Sequence, residues 1–309
     1  MIVFHCALAK TTIAGGLRTL YRHAELLAGM GQQTLAVAPD GPPASFATST
    51  PTFRSGCLDL KPDDHIVFPE AIGADDGIGL NLLRHPGPKH VFVQNHFYMH
   101  MGIRIAPRWR EMGITRVFAS SRTIADYLQD CLGFADPAVV PYGIDTDLYR
   151  PRPKALRIAV MPRKLRREFE FIRETFAAAY PDLAGVPWEV IDGRTEAEVA
   201  ELLGGSAVFL SLSHQEGFGL PPLEAMACGC VVAGLHGVGG LEYASTANGF
   251  WYGYDQQIDC VHGLATAVKM AAANGERHRA MVQAGFDTVA RYSVERTRQA
   301  LAAYFGVAR

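Results

Sequence analysis

Two glutamates frame a turn rich in glycine and proline in the stretch HQEGFGLPPLEAMACGC, which runs from His214 to Cys230. The apolar run AVFLSLS before it predicts a buried strand, and Pro221 and Pro222 are typical of the first positions of a helix. The turn would therefore lie at a strand's carboxyl end and a helix N-terminus, where backbone N–H groups and the helix dipole favour an anion. Gly217 and Gly219 would let the backbone approach that anion closely.

The two acids of this stretch, Glu216 and Glu224, would repel a phosphate, so they should face something else. A nucleotide sugar offers hydroxyl-rich groups on both sides of its phosphates, namely the ribose and the sugar. In this interpretation Glu224 accepts hydrogen bonds from the ribose and Glu216 from the transferred sugar, and each bond contributes ~1.5–3 kcal/mol. In the alternative, Glu224 only stabilises a helix N-terminus and Glu216 is a solvated loop residue.

Basic residues follow the apolar run LRIAVM, again at the predicted carboxyl end of a strand. Cations at a helix N-terminus oppose the helix dipole, so an anionic partner explains them better than a solvated helix start does. The four residues are Arg163, Lys164, Arg166 and Arg167.

The elements that would position these residues alternate between strand and helix along the whole chain, which predicts parallel, doubly wound sheets. At 309 residues the chain is longer than one hydrophobic core commonly supports. The proline-rich stretch DLYRPRPKA interrupts the alternation near Arg150. We therefore predict an α/β protein with two tandem Rossmann-like domains, residues 1–150 and 151–309, whose sheets face a cleft. Within the first domain, the stretch from Asp40 to Pro62 is rich in Pro, Gly, Ser and Thr and is predicted to be a loop.

Composition excludes several classes of protein. The formal net charge is -2, without the basic excess of a general nucleic-acid binder. Six cysteines without a CxxC spacing suggest free thiols in a reducing compartment. The N-terminus lacks the features of a signal peptide, and no apolar run is long enough to span a membrane. We therefore expect a cytoplasmic protein.

The segment EGFGLPPLEAMACG resembles the signature of family-4 glycosyltransferases of the GT-B fold. The stretches VPYGIDTDLYRP, GVGGLEY and YSVERTRQALAAYF are similar to other parts of that family, and the last resembles a terminal helix that packs back towards the first domain. The resemblance implies transfer of a sugar from a nucleotide donor to an acceptor hydroxyl, with retention at the anomeric carbon. It implies no metal and no other cofactor.

The resemblance also assigns roles to residues of the second domain. Glu216 would hold the donor sugar, Glu224 the ribose, and Arg163 would neutralise the departing diphosphate. The family usually has a lysine a few residues after this arginine, where the present chain has Glu168; Lys164, Arg166 or Arg167 would take its place. Four residues would offer backbone amides to sugar and phosphate: Gly217, Phe218, Gly219 and Leu220.

In the first domain, the resemblance points to Gly15 and Gly16 near the donor phosphates and to His96 near the reacting sugar. An ordinary strand–helix turn and a structural histidine are the alternatives. Acceptors would be a sugar, a lipid-linked or a small-molecule hydroxyl compound, in the synthesis of a bacterial polysaccharide or glycoconjugate.

Three other interpretations remain open at this point. Asp145 and Asp147 mimic a metal-binding pair, although a capped turn is the simpler explanation. The stretch from Arg104 to Arg116 has four arginines and a tryptophan, which would suit peripheral contact with anionic lipid, or a solvated helix face. The chain could also be a non-catalytic nucleotide-sugar-binding subunit or a scaffold of a glycan assembly complex.

Overall fold

The computed structural model describes residues 1–54, 58–101 and 108–307. The contacts between residues divide the chain into two compact units. Unit 1 comprises Met1–Tyr142 and Glu295–Arg309, and unit 2 comprises Gly143–Val294. The prediction of two parallel-sheet α/β units is confirmed.

The division falls before the position expected near Arg150. The reason is that the chain after Tyr142 pairs with unit 2: the backbone N–H of Ile144 donates to the Tyr292 carbonyl at 2.8 Å, and Ile144 forms a parallel bridge with Ser293. The prolines that punctuate the sequence at 151 and 153 therefore follow the division rather than mark it.

Unit 1 contains a seven-stranded parallel sheet with the order β3-β2-β1-β4-β5-β6-β7. Its strands are β1 Ile2–His5, β2 Thr34–Val37, β3 Thr52–Phe53, β4 His65–Pro69, β5 Lys89–Val93, β6 Ile114–Ala119 and β7 Ala138–Val139. The central strands are apolar and buried, as is expected of parallel sheets whose two faces are covered by helices. The short β3 corrects the expectation of a loop from Asp40 to Pro62.

Unit 2 contains a five-stranded parallel sheet with the order β12-β11-β10-β8-β9. Its strands are β8 Ala155–Val160, β9 Trp188–Val190, β10 Ser206–Ser213, β11 Val231–His236 and β12 Gly249–Tyr252. The core of this unit lies between the sheet and its helices, and β10 contributes a nearly continuous buried run at its centre.

Helices connect the strands in both units. Their bounds are α1 Gly15–Ala28, α2 Gly77–Leu82, α3 Arg122–Leu132, α4 Arg166–Ala179, α5 Glu196–Gly204, α6 Leu220–Ala227, α7 Gln257–Ala273, α8 Glu276–Ala290 and α9 Val294–Phe305. An apolar stripe on α1 that includes Leu17, Leu20 and Leu27 is buried. In unit 2, Thr195 and Glu198 form a reciprocal capping box that starts α5.

The terminal helix α9 packs within unit 1. Thr297 donates its hydroxyl hydrogen to the Pro141 carbonyl at 2.9 Å. Near the other end of the helix, Arg116 donates to the Tyr304 carbonyl at 2.7 Å, and its guanidinium lies 4.2 Å from the Tyr304 ring centroid. His90 Nδ1 lies 3.0 Å from the Tyr304 hydroxyl. These bonds attach the end of the chain to the sheet of its first residues.

Strand order identifies where ligands bind in such sheets, because the crevice opens where the order reverses. In unit 1 this switch point lies between β1 and β4, and in unit 2 it lies between β8 and β10. The loops that leave the carboxyl ends of these strands therefore carry the residues of interest.

The arginine-rich stretch proposed for lipid contact lies partly outside the described residues, which exclude 102–107. Within the part that is described, Trp109 is 1% exposed and its ring centroid lies 4.5 Å from that of Phe134. Arg116 is engaged by Tyr304. The tryptophan is therefore a core residue, which removes the main argument for a lipid-binding surface. Across the described ranges, no helix has the length and apolarity to cross a membrane.

Candidate functional site

Two loops meet at the switch point of unit 2. The loop after β8 carries Arg163 and Lys164, and the loop after β10 carries Glu216. Lys164 Nζ lies 2.8 Å from Glu216 Oε1, and the two side chains are 44% and 25% exposed. An exposed pair of this kind contributes only about 0–1 kcal/mol to stability. Separating the two side chains, for example when a more highly charged ligand binds Lys164, would therefore cost the protein little stability.

The helix α6 begins directly after the second loop. Gly219 precedes it with φ +89°, in the left-handed region that favours glycine. Gly219 has no side chain with which to cap the N-terminus of α6. Pro221 and Pro222 lack N–H groups, so this helix start has fewer amide donors than usual. An anion bound here would depend on the remaining amides together with nearby basic side chains.

A second glycine loop, which follows β11, supports the first loop. The backbone N–H of Val238 donates to the His214 carbonyl at 3.1 Å, and that of Gly239 donates to the Glu216 carbonyl at 2.9 Å. A Cβ on Gly239 would overlap the backbone N and Cα of Phe218. The close approach of the two backbones therefore requires glycine at 239 and fixes the position of the turn that carries Glu216.

Tyr243 is a part of this site to which the sequence interpretation gave no role. Its hydroxyl donates to the Gly219 carbonyl at 2.7 Å. Burial, and after it the negative charge of Glu216, holds the pKa of Tyr243 well above its usual range, with Glu224 adding to the effect. The hydroxyl therefore stays protonated and continues to donate to the backbone just before α6. The sequence feature that could have identified Tyr243 is its position at the end of the family-like stretch GVGGLEY.

Glu224 lies in α6 and is 3% exposed. The negative charges of Glu216 and Glu224 both raise the pKa of Tyr243, so both acids lie in the neighbourhood of this residue. The structure thus brings together Lys164, Glu216 and Glu224 with the turn Gly217–Leu220. Contact of Glu224 with a ribose stays a prediction.

Two other charged residues near β8 have partners different from Glu216. Arg166 donates to Asp192 at 2.6 Å. Glu168, which stands where the family has its lysine, accepts a hydrogen bond from the Tyr254 hydroxyl at 2.6 Å, and the Tyr254 ring stacks on His214 with centroids 3.9 Å apart. Of the candidates for the lysine's place, Lys164 is the one that contacts Glu216.

The remaining predicted residues lie at the carboxyl edge of unit 1. Gly15 and Gly16 begin α1, and a Cβ on Gly16 would lie 3.2 Å from the Gln94 side-chain amide. His96 begins a short 3-10 turn, His96–Tyr98, and is half-buried. Burial lowers the pKa of His96, and its Nδ1 has no hydrogen-bond partner among the residues described.

The described carboxylate, histidine and cysteine side chains give little support for a metal site. Asp145 Oδ1 accepts backbone hydrogen bonds from Asp147 at 3.0 Å and Leu148 at 3.2 Å, so the Asp-Thr-Asp stretch is a capped turn. Within the described ranges, no group of three or more His, Cys, Asp or Glu side chains is arranged to hold a metal ion. The independence from metal stays a prediction.

Comparison with known sequences links unit 2 to a family. Residues 188–287 match the family model of glycosyl transferases group 1. A curated relative, an alpha-1,6-glucosyltransferase of Actinobacillus pleuropneumoniae serotype 7, is 32% identical over 147 residues. The matched stretch covers 47% of this chain and 44% of the relative, so it spans less than half of either protein.

Comparison with solved structures extends to nearly the whole chain. The structure of HepE from Anabaena in complex with UDP and glucose matches with a TM-score of 0.72 and 14% identity over 99% of both chains. A glycosyltransferase from Rickettsia africae matches with a TM-score of 0.70 and 12% identity over 99% of this chain and 98% of that one. The chain therefore has the two-sheet GT-B fold of these structures, and residues 188–287 of its second unit resemble the glycosyl transferases group 1 family.

Proposed function

We propose that the protein is a glycosyltransferase that moves a sugar from a nucleoside-diphosphate sugar to an acceptor hydroxyl, with retention at the anomeric carbon. The observation that carries the proposal is the Lys164–Glu216 pair beside the N-terminus of α6. A cation, a helix start and a carboxylate are within reach of one ligand that contains both phosphates and hydroxyls. A nucleotide sugar is such a ligand.

Binding of the donor would rearrange the pair. The diphosphate would take the ammonium group of Lys164 and the guanidinium of Arg163, because phosphate carries more charge than a single carboxylate. Glu216 would then accept hydrogen bonds from the sugar hydroxyls. The amides of the turn Gly217–Leu220 would meet the phosphates, and Glu224 would accept from the ribose.

Departure of the nucleoside diphosphate builds negative charge on its terminal phosphate oxygen. Lys164, Arg163 and the α6 dipole would stabilise that charge more in the transition state than in the bound donor. Basic side chains could supply this stabilisation without a metal ion. In unit 1, His96 would contact the reacting sugar, and Gly15 and Gly16 would leave room for donor phosphates and acceptor.

Glucose is the first donor sugar to test, and uridine the first base. The curated relative is a glucosyltransferase, and the HepE structure contains UDP and glucose. The acceptor would be a sugar, a lipid-linked or a small-molecule compound in polysaccharide or glycoconjugate synthesis. A cytoplasmic location agrees with the free cysteines of the described chain, Cys6, Cys131, Cys228, Cys230 and Cys260.

A thermal-shift titration with UDP, GDP, ADP and UDP-glucose tests the proposal first, because a ligand that binds the folded state raises its stability. Turnover of UDP-glucose, with and without candidate acceptors, then tests catalysis. We expect UDP to bind and Glu216→Ala to abolish most turnover, while Glu170→Gln, on the exposed side of α4, leaves it unchanged. Binding without turnover of any donor would favour a non-catalytic subunit, and no nucleotide binding would refute both.

A further inference from the structure

One buried acid of unit 1 has no part in the function proposed above. Glu70 follows β4 directly, at the switch point between β4 and β1, and is 6% exposed. Within the chain as described, its carboxylate has backbone N–H groups as neighbours and no arginine, lysine or histidine as an ion-pair partner. An unpaired buried carboxyl at this position requires an explanation.

The carboxylate of Glu70 holds the turn that follows β5. Its Oε1 accepts a hydrogen bond from the backbone N–H of Asn95 at 3.0 Å. The side chain of Asn95 in turn accepts from the backbone N–H of Phe97 at 3.1 Å and so caps the His96–Tyr98 turn. Glu70 and His96 are thus connected through one residue.

The same turn contacts the glycines at the start of α1. Gln94, which precedes Asn95, accepts a hydrogen bond from the Tyr142 hydroxyl at 3.1 Å. Its side-chain amide would contact any Cβ at Gly16. A shift of the Gln94–Asn95 backbone would therefore move both His96 and the side chain that packs on Gly16.

Burial raises the pKa of Glu70 to about 7, although backbone N–H groups oppose the shift. A neutral residue of the same shape would avoid this desolvation. Among the described residues, the titratable groups that follow β1, β4 and β5 include His5 and Cys6 at the end of β1, Asp76, whose Oδ2 lies 3.0 Å from His5 Nε2, and His96 after β5. Glu70 is the one that binds the turn backbone.

We infer that Glu70 is a positioning residue whose ionised carboxylate holds the His96 turn in the arrangement that sugar transfer uses. The placement of the turn follows from unit 1 alone, whereas its use in transfer rests on the proposed function. The ionised form is the better acceptor for the Asn95 N–H. Protonation of Glu70 would loosen the turn and lower turnover.

The ring signals of His96, followed by NMR in the protein without ligand, test the placement. In the wild type we expect a step in these signals near pH 7, separate from the ring's own titration at lower pH. Glu70→Gln should abolish the step, while Asp75→Asn, an exposed acid of the same unit, should leave it. A wild type without the step, or the same step in Glu70→Gln, would overturn the inference whatever the enzyme's substrate.

Measurements of turnover then test whether the His96–Tyr98 turn contributes to sugar transfer. We expect wild-type turnover to rise through pH 7 and Glu70→Gln to stay at the low-pH level. Glu70→Ala should lower turnover about tenfold or more through misplacement, with UDP affinity unchanged. The losses in Glu70→Ala and His96→Ala should not add in the double variant. Fully additive losses of turnover would overturn the positioning role of Glu70. A wild-type protein that does not bind UDP would instead refute the proposed function.

Discussion

At the scale of single residues, the Lys164–Glu216 ion pair contributes little to stability because of its exposure to solvent. Both side chains are partly exposed, so water screens the attraction and little stability depends on it. In the proposed reaction this weakness is useful because the donor must separate the two groups. Arg166 is also exposed, but its guanidinium lies 2.6 Å from Asp192 and so has a carboxylate partner other than Glu216.

Glu216 and Arg163 should affect different steps. Glu216→Ala and Arg163→Ala should each lower turnover at least about 100-fold, which is a loss of ~2.7 kcal/mol in the transition state. UDP should bind Glu216→Ala normally because the acid contacts the sugar, whereas Arg163→Ala should bind it more weakly. Calorimetric titration with UDP and a turnover assay separate the two effects. Full activity in either variant would contradict the assignment.

Lys164 and Arg166 form a matched pair of basic residues. Lys164→Ala should weaken UDP binding about tenfold, the loss of one charge-assisted bond, and the dependence of affinity on salt should decrease. Arg166→Ala should change affinity little because its guanidinium already has Asp192 as partner. If Arg166→Ala shows the larger loss instead, then Arg166 rather than Lys164 takes the place of the family's lysine.

The sequence nominates candidate site residues, which stay a prediction, but it does not reveal the residues that support them. Glu216 and the turn after it belong to a local motif, which spacing makes visible. The contacts of Tyr243 with Gly219 and of Glu70 with Asn95 join positions 24 and 25 residues apart. Such pairs follow from strand order, which a single sequence leaves undetermined.

At the scale of elements, apolar runs predicted the buried central strands because burial on both faces demands continuous hydrophobicity. The elements that escaped prediction are short. β3 has two residues, Thr52 and Phe53, and neither is fully buried. The helix α2 covers six residues and includes two glycines. Neither element has room for a periodic pattern, so tertiary contacts rather than local preference decide them.

The glycine loop after β11 should be as important as the motif that it supports. Gly239→Ala would drive a methyl group into the Phe218 backbone and displace the turn that carries Glu216. We expect lower thermal stability and weaker UDP binding, both measured in one thermal-shift titration. Gly185→Ala is the control because a Cβ there meets nothing within 4 Å. Equal behaviour of the two variants would mean that the loops are not coupled.

At the scale of the whole molecule, the two units differ in their buried histidines. Unit 1 buries His5, His23 and His90 completely or nearly so. Burial lowers the pKa of His23 to about 3, and burial with the nearby charges of His65 and Arg116 lowers that of His90 to about 3. His90 also contacts Tyr304 of the terminal helix, so its protonation would disturb the attachment of α9. Unit 1 should therefore be the more acid-sensitive unit.

His23 isolates this effect because no hydrogen-bond partner in the described structure accompanies it. The unfolded chain takes up a proton near pH 6.5 and the folded chain only near pH 3, so stability falls as pH drops through 6.5. Between pH 7 and 5 this one histidine should remove about 2 kcal/mol. Glu70 acts in the opposite direction, since its raised pKa favours the folded state as pH falls from 7.

The dependence of wild-type stability on pH therefore combines opposing contributions from His23 and Glu70. A variant that lacks His23 separates them. His23→Leu keeps an apolar side chain of similar size against Phe92, whose ring centroid lies 4.7 Å from that of His23. Urea unfolding of wild type and variant at pH 7 and pH 5 should show the variant losing about 2 kcal/mol less between the two pH values. Parallel slopes would mean that His23 is already accessible to protons in the folded unit, which its burial between α1 and the sheet opposes.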